Sequence, residues 1–177
     1  MTDQGPTLLY AGSFDPITLG HEDIIVRAKD IAGKLYVGVG INAEKNYMFR
    51  MEERVQMVKK ATEHLPRVEV IEIPGVMAYA AKELKCDALV RGLRNGTDFD
   101  HEQQIDALQN TIGVANRIET IYLMGHHLGI SSSAVKELLK LGCTIPDLAC
   151  FVPVSIIGML LQFVKQHKTN PIRSTQK

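Results

Sequence analysis

Five short apolar runs recur along this chain, and every gap between them holds a stretch with the spacing of an amphipathic helix. The runs are Thr7–Ala11, Leu35–Ile41, Val68–Ile73, Ala88–Arg91 and Glu119–Met124. The helical stretches are His21–Ile31, Arg50–His64, Met77–Leu84, Asp98–Ile112 and Ser132–Leu141. Ile24, Ile25, Ala28 and Ile31 mark the inner face of the first helix, and Val55, Val58 and Ala61 that of the second. Buried strands separated by helices need right-handed crossovers, so the pattern predicts a parallel sheet with helices on both faces. The expected fold is α/β: a single-domain, Rossmann-like, doubly wound sheet of five parallel strands. Such sheets bind ligands beyond the carboxyl ends of their strands, where the strand order reverses. The loops after the first, second, fourth and fifth strands are therefore expected to meet at one cleft.

At 177 residues the chain suits one domain with a substantial core. That domain is expected to span residues 1–164, including a C-terminal helix over Val152–Val164, with the polar and basic segment 165–177 frayed. Val152–Val164 is the longest apolar stretch, but it carries Ser155 and Gln162 and is too short to cross a bilayer. It is expected to dock on the domain or on a neighbouring subunit. Twenty basic residues balance 20 acidic ones, so no net field favours a nucleic acid or an anionic membrane as partner. Cys86, Cys143 and Cys150 form no C-x-x-C pair, and no secretory leader pattern opens the chain. A reducing, cytoplasmic setting is the expectation.

The first strand runs into Gly12-Ser13-Phe14-Asp15-Pro16-Ile17-Thr18-Leu19-Gly20-His21. A strand-to-helix turn of small residues lets the main chain approach a phosphate, and the helix N-terminus offers N–H groups with no internal partner. Gly20 keeps the turn clear of a side chain, and His21 projects from the first helical turn, placed to donate to a phosphoryl oxygen. Alone, this stretch reads equally as ordinary loop chemistry before a surface histidine. Its weight comes from companions at later strand ends.

Lys45 follows the second strand, as an anion ligand or as a solvated lysine. Arg91-Gly92-Leu93-Arg94 follows the fourth, and two guanidinium groups there call either for an oxyanion or for ion pairs with Asp98 or Glu102. Glu102 could instead accept from a ribose or base donor. After the fifth strand, Ser131, Ser132 and Ser133 open a helix, as an N-cap or as hydroxyl and amide donors for a triphosphate; Lys136 adds charge there or faces water. Other patterns fail. Gly38-Val39-Gly40 lies within a strand, no Walker-type loop or G-x-S-x-G elbow occurs, and adjacent His126-His127 is poor geometry for one metal.

Together these residues closely resemble the bacterial phosphopantetheine adenylyltransferases, within the nucleotidyltransferase superfamily that carries a His/Thr-x-Gly-His signature. Here the signature reads Thr18-Leu19-Gly20-His21. Arg91-Gly92-Leu93-Arg94, with Asp98, Phe99 and Glu102, is similar to the family's adenine-nucleotide loop. Ile130-Ser131-Ser132-Ser133 with Val135 and Lys136 is similar to its second signature, in which arginine often stands at the last position. The resemblance covers roughly residues 7 to 160. It implies transfer of AMP from ATP to 4′-phosphopantetheine, giving dephospho-coenzyme A and pyrophosphate, in coenzyme A biosynthesis. It implies that ATP meets Ser13, Phe14, His21, Gly92, Leu93, Arg94, Glu102 and the loop His127, Leu128, Gly129, Ile130, Ser131, Ser132 and Ser133. Ser13, Lys45, Met77 and Arg91 would hold phosphopantetheine. His21, Lys45 and Arg94 would act in the transfer as cations, with Mg²⁺ carried on the ATP phosphates. A homohexamer and feedback by coenzyme A are further implications.

A phosphate monoester has a second pKa of about 6, so near neutral pH it is largely a dianion and needs no general base. Alignment and charge stabilisation are then the expected sources of rate. The competing readings are a transferase of the same superfamily with another phosphorylated acceptor, and a nucleotide-sensing module without catalysis. A class I aminoacyl-tRNA synthetase shares the Gly-His logic, but this chain lacks room for an anticodon domain.

Overall fold

Strand β1 (Thr7–Gly12) lies at the middle of a five-stranded sheet in the computed structural model, which describes residues 5–42, 45–94, 96, 99–100, 103 and 118–169. It is flanked by β2 (Lys34–Gly40), then β3 (Val68–Ile73), on one side, and by β4 (Ala88–Leu93), then β5 (Glu119–Met124), on the other. Every neighbouring pair is parallel. The chain winds outward from β1 to β3 and then returns across β1, so the strand order reverses between β1 and β4. The doubly wound parallel sheet expected from the alternation is the fold that forms.

Side chains alternate across a strand, and β1 shows both faces at work. Leu8 and Tyr10 enter one core cluster with residues of α1 (Leu19–Ile31), α2 (Met51–Thr62), α4 (Ser132–Leu141), α5 (Ile145–Ala149) and α6 (Ile157–Thr169). Leu9, between them, enters a second cluster with Ile73, Leu89 and Ala81, the last on α3 (Met77–Glu83). Burial of Leu8, Leu9, Leu35 and Val90 to 0% exposure contributes roughly 1.5–3 kcal/mol per side chain.

The boundaries differ from the sequence spacing at informative places. Helix α1 starts at Leu19, ahead of the expected His21, because the Thr18 side chain accepts the His21 N–H and caps the helix. Ile31 does not complete the inner face; it is 49% exposed at the last position of α1. Ile41 likewise lies outside β2 and is 55% exposed. Strand β4 runs past the expected end at Arg91 to Leu93, so Gly92 and Leu93 are paired with Leu123 and Met124 of β5, not placed in a loop. Helix α2 is shorter than expected, Met51–Thr62.

The expected Val152–Val164 helix is divided. Pro153 lacks an N–H and restrains Val152, so a 3-10 turn at Val154–Ile156 precedes α6. Helix α6 then continues to Thr169, past the expected boundary, so residues 165–169 are helical and not frayed. His167 Nε2 sits 2.9 Å from the buried Glu53 carboxylate and its ring stacks at 5.9 Å from Phe49. The remainder of the segment expected to fray, and nearly all of the expected Asp98–Ile112 helix, lie outside the described residues.

Candidate active site

The loop after β1 is held by a buried carboxylate. Asp15, 3% exposed, accepts from the Met48 N–H at 3.0 Å, from the Phe49 N–H at 2.9 Å and from Lys136 Nζ at 2.9 Å. One side chain thus ties the β1 loop to the segment before α2 and to α4. Lys136 is neither a surface lysine nor a free anion ligand: it is the counter-ion of Asp15. Phe14 takes φ 47, in the left-handed region, which turns its ring beneath the loop. There it is 1% exposed and packs edge-on to Tyr10 and His21 at 5.7 and 5.1 Å.

His21 has its tautomer set by the cap. The Thr18 N–H, always a donor, points at His21 Nδ1 from 3.1 Å, and Thr18 Oγ1 lies 3.0 Å from the same nitrogen. Nδ1 therefore accepts, and in the neutral ring the proton resides on Nε2. Burial, with the positive charges of Arg94 and Lys45 adding to it, lowers the imidazole pKa to about 4. At neutral pH His21 is therefore a neutral Nε2–H donor in the free protein. Gly20, one residue before, leaves the helix mouth open: a Cβ there would meet only His127 and Thr18, at 3.7 Å.

The pKa has a consequence for stability. An unfolded histidine titrates near 6.5, so between that pH and 4 the unfolded chain binds the proton and the folded chain does not. Stability is full above the unfolded value and falls as the pH drops. Between pH 6.5 and 5 the expected loss is on the order of 1–2 kcal/mol. The carboxylates held below their ordinary range, Asp23 by Arg27 and His126, Glu53 by Arg50 and His167, lose their contributions at lower pH still. Melting His21→Asn beside the parent across that window should give a flatter profile for the variant; parallel profiles would contradict the depressed pKa.

One cleft collects most of the expected residues at the switch between β1 and β4. Ser13, His21, Lys45, Arg91, Gly92, Leu93, Arg94, His127, Ile130, Ser131, Ser132 and Ser133 all line it. Its volume, about 280 Å³, falls just short of the usual small-molecule range of about 300–1,000 Å³, and it opens to solvent. Lys45 Nζ reaches across to Ser13 Oγ at 3.4 Å. Gly92 is needed for closeness: a Cβ there would come within 3.1 Å of Ile24 Cγ1.

The serine turn divides its labour. Ser131 caps α4 by accepting the Ala134 N–H at 3.1 Å, and the Ser132 hydroxyl donates to the Pro16 carbonyl at 2.9 Å. The first-turn amides of Ser132 and Ser133 border the cleft with the helix dipole behind them, an arrangement that favours an anion.

Other expected residues stand apart. The Phe14 side chain is walled off from the cleft by its burial. Met77 packs in the second core cluster, and neither it, Leu128 (62% exposed) nor Gly129 lines the cleft. Glu102 lies outside the described residues. Sequence spacing missed Tyr10, Ile24 and Gly125 in the wall, and the roles of Thr18 as cap and of Asp15 and Arg54 behind the wall. Of these, only Thr18 carried a local signal, as a cap residue placed three before His21.

Comparison with known proteins agrees with this geometry. The model of the cytidylyltransferase-like family matches residues 9–138. A phosphopantetheine adenylyltransferase of Methylacidiphilum infernorum (isolate V4) is 38% identical over 169 residues, 93% of this chain and 95% of the relative. One from Streptococcus pneumoniae (strain 70585) is 44% identical over 152 residues, 84% of this chain and 91% of the relative. Among solved structures, a Vibrio parahaemolyticus protein assigned as a nicotinate-nucleotide adenylyltransferase superposes with a TM-score of 0.70 over 92% of this chain and 97% of that one. At 14% identity that likeness speaks for the fold alone. Signature residues, cleft and sequence similarity converge: the chain belongs to the cytidylyltransferase-like family and, within it, to the phosphopantetheine adenylyltransferases.

Proposed function

We propose that the cleft joins ATP to 4′-phosphopantetheine, releasing pyrophosphate and giving dephospho-coenzyme A. A phosphate oxygen of the acceptor attacks the α-phosphorus of ATP, and the bond from that phosphorus to the bridging oxygen of the departing pyrophosphate breaks. The difficulty is bringing two anions together, and the wall meets it with fixed donors. The acceptor phosphate sits between Ser13 Oγ and Lys45 Nζ, with Arg91 beside it. The triphosphate lies along His21 Nε2–H, Arg94 and the Ser132 and Ser133 amides. Donors already in place as charge spreads over the α-phosphoryl oxygens need no rearrangement during the reaction.

The observation that carries this reading is that His21, Lys45, Arg94 and the serine turn, which arise from four different stretches of the chain, border a single opening. Mg²⁺ belongs to this scheme as part of the nucleotide. Its oxygen ligands would come from the triphosphate, since Mg²⁺ takes few protein ligands and binds phosphate oxygens readily. There it supplies neutralisation of the phosphate charge. Glu102 retains its proposed place against the nucleotide, and Met77 meets the pantetheine arm only if that arm runs toward α3.

Incubating the chain with ATP, Mg²⁺ and 4′-phosphopantetheine tests the proposal: pyrophosphate and dephospho-coenzyme A should appear in equal amounts. No pyrophosphate with this acceptor, or equal release with nicotinamide mononucleotide, would reject it. A cytoplasmic location fits this substrate pair, and among the described residues no helix is long and apolar enough to cross a membrane. A homohexamer and feedback by coenzyme A complete the proposal. The exposed Leu141, Ile145 and Val154 offer apolar surface for subunit contacts.

A further inference from the structure

Arg54 is 2% exposed and the largest side chain so completely enclosed. Its Nη1 donates to the carbonyl of Ser13 at 2.6 Å and to that of Gly40 at 2.8 Å. Its Nη2 reaches Met51 Sδ at 3.6 Å, and the guanidinium lies 4.2 Å from the centre of the Tyr47 ring. Nε is buried with no acceptor among the described residues. Among the described residues no carboxylate stands within ion-pair distance: Asp15 and Glu52 act on Arg54 only at longer range, and Asp15 is committed to Lys136.

A buried charge with no counter-ion among the described residues is costly to keep. What Arg54 holds accounts for its presence. Ser13 is the first residue beyond β1, and Gly40 is the last of β2. These are the roots of the two loops whose side chains, Ser13 Oγ and Lys45 Nζ, meet 3.4 Å apart on the cleft wall. A single nitrogen of Arg54 bridges both roots from behind.

We propose that Arg54 is a positioning residue for the acceptor phosphate: it fixes the Ser13 and Lys45 loops relative to each other, and its unneutralised charge is answered by the phosphate when that binds. The inference rests on the adenylyl-transfer reading. It differs from a plain packing role in what it predicts. An arginine that only held α2 to the sheet would, when replaced, lower stability and weaken both ligands together. An arginine that aligns the acceptor subsite weakens one ligand selectively, over and above the general loss of stability that two unpaired carbonyls cause.

The test uses the full chain with Arg54→Met and Arg54→Lys, reading melting temperature, calorimetric affinity for ATP and for 4′-phosphopantetheine, and kcat and KM for each. Arg54→Met should melt lower than the parent and, at a temperature where both are folded, bind phosphopantetheine about tenfold or more weakly, with ATP affinity changed less than about threefold. Arg54→Lys, which keeps the charge but not the planar fork, should recover part of the acceptor affinity. Equal losses for the two ligands, a fall that tracks melting temperature, or unchanged acceptor affinity overturns the inference. If Arg54→Met does not fold, Arg54→Lys decides alone: a raised acceptor KM at constant ATP KM supports the role, and any other pattern rejects it. A parent that binds both ligands without turnover contradicts the transfer reading, whereas an active parent matched by both variants contradicts only the role of Arg54.

Discussion

His21→Ala is expected to lower kcat by about 10²–10³-fold, the usual cost of removing one preorganised donor to a developing oxyanion. ATP affinity, measured by calorimetry, should change only a few-fold. The asymmetry follows from the state of the ring. In the free protein it is neutral, its Nδ1 is taken up by the Thr18 cap, and its one donor is Nε2–H. A neutral donor gives little to ground-state phosphates that already have Arg94 and the α4 amides. It gives more as charge accumulates on the α-phosphoryl oxygens, when the low dielectric that depresses its pKa strengthens every hydrogen bond made there. Removing the ring also removes the surface against which Phe14 packs, so the melting temperature should be read alongside. A kcat within a few-fold of the parent, with the fold intact, would remove His21 from the chemistry.

Asp15→Ala is the largest stability effect expected. It strands two buried amides, Met48 and Phe49, and the Lys136 ammonium, and breaking a buried charged cluster from one side costs about 3–5 kcal/mol. Lys136→Met should cost less, because the two amides keep their acceptor. Activity should fall with Asp15→Ala even under conditions where the protein remains folded, since Lys45 is carried by the same segment that Asp15 pins. Urea unfolding of the parent and both variants measures this directly. A loss below about 1 kcal/mol for Asp15→Ala would show that the loop is held by something else.

What was legible in the sequence was the part written in short-range pattern. Alternating apolar runs announced all five strands, and Gly-Ser-Phe-Asp-Pro followed by Thr18-Leu19-Gly20-His21 marked the mouth of the cleft. The last two residues of β4, Gly92 and Leu93, were not legible. Gly92-Leu93 has the composition of a loop, and only its register with β5 keeps it extended. The capping role of His21 was hidden because the usual box has Glu or Gln three residues after the cap, and here an imidazole nitrogen takes that place.

Arg54 and Lys136 were hidden for a different reason. Both sit in charged helical stretches that read as solvated faces, and their partners are carbonyls and a carboxylate distant along the chain, at Ser13, Gly40 and Asp15. His167 was lost in a polar tail for the same reason, its partner Glu53 lying 114 residues away. Local spacing finds groups that act with their neighbours. It does not find those whose partners the fold brings in from elsewhere.

The central physical claim is that loops rooted on β1, β2, β4 and β5 form one wall that holds two anions in line. A crystal structure of the chain with a non-hydrolysable ATP analogue and 4′-phosphopantetheine tests it most directly. The account predicts the triphosphate between His21 Nε2, Arg94 and the Ser132 and Ser133 amides, with the acceptor phosphate at Ser13 and Lys45 and opposite the pyrophosphate across the α-phosphorus. A nucleotide bound outside this cleft, or an acceptor phosphate on the same side of the α-phosphorus as the leaving group, would contradict it.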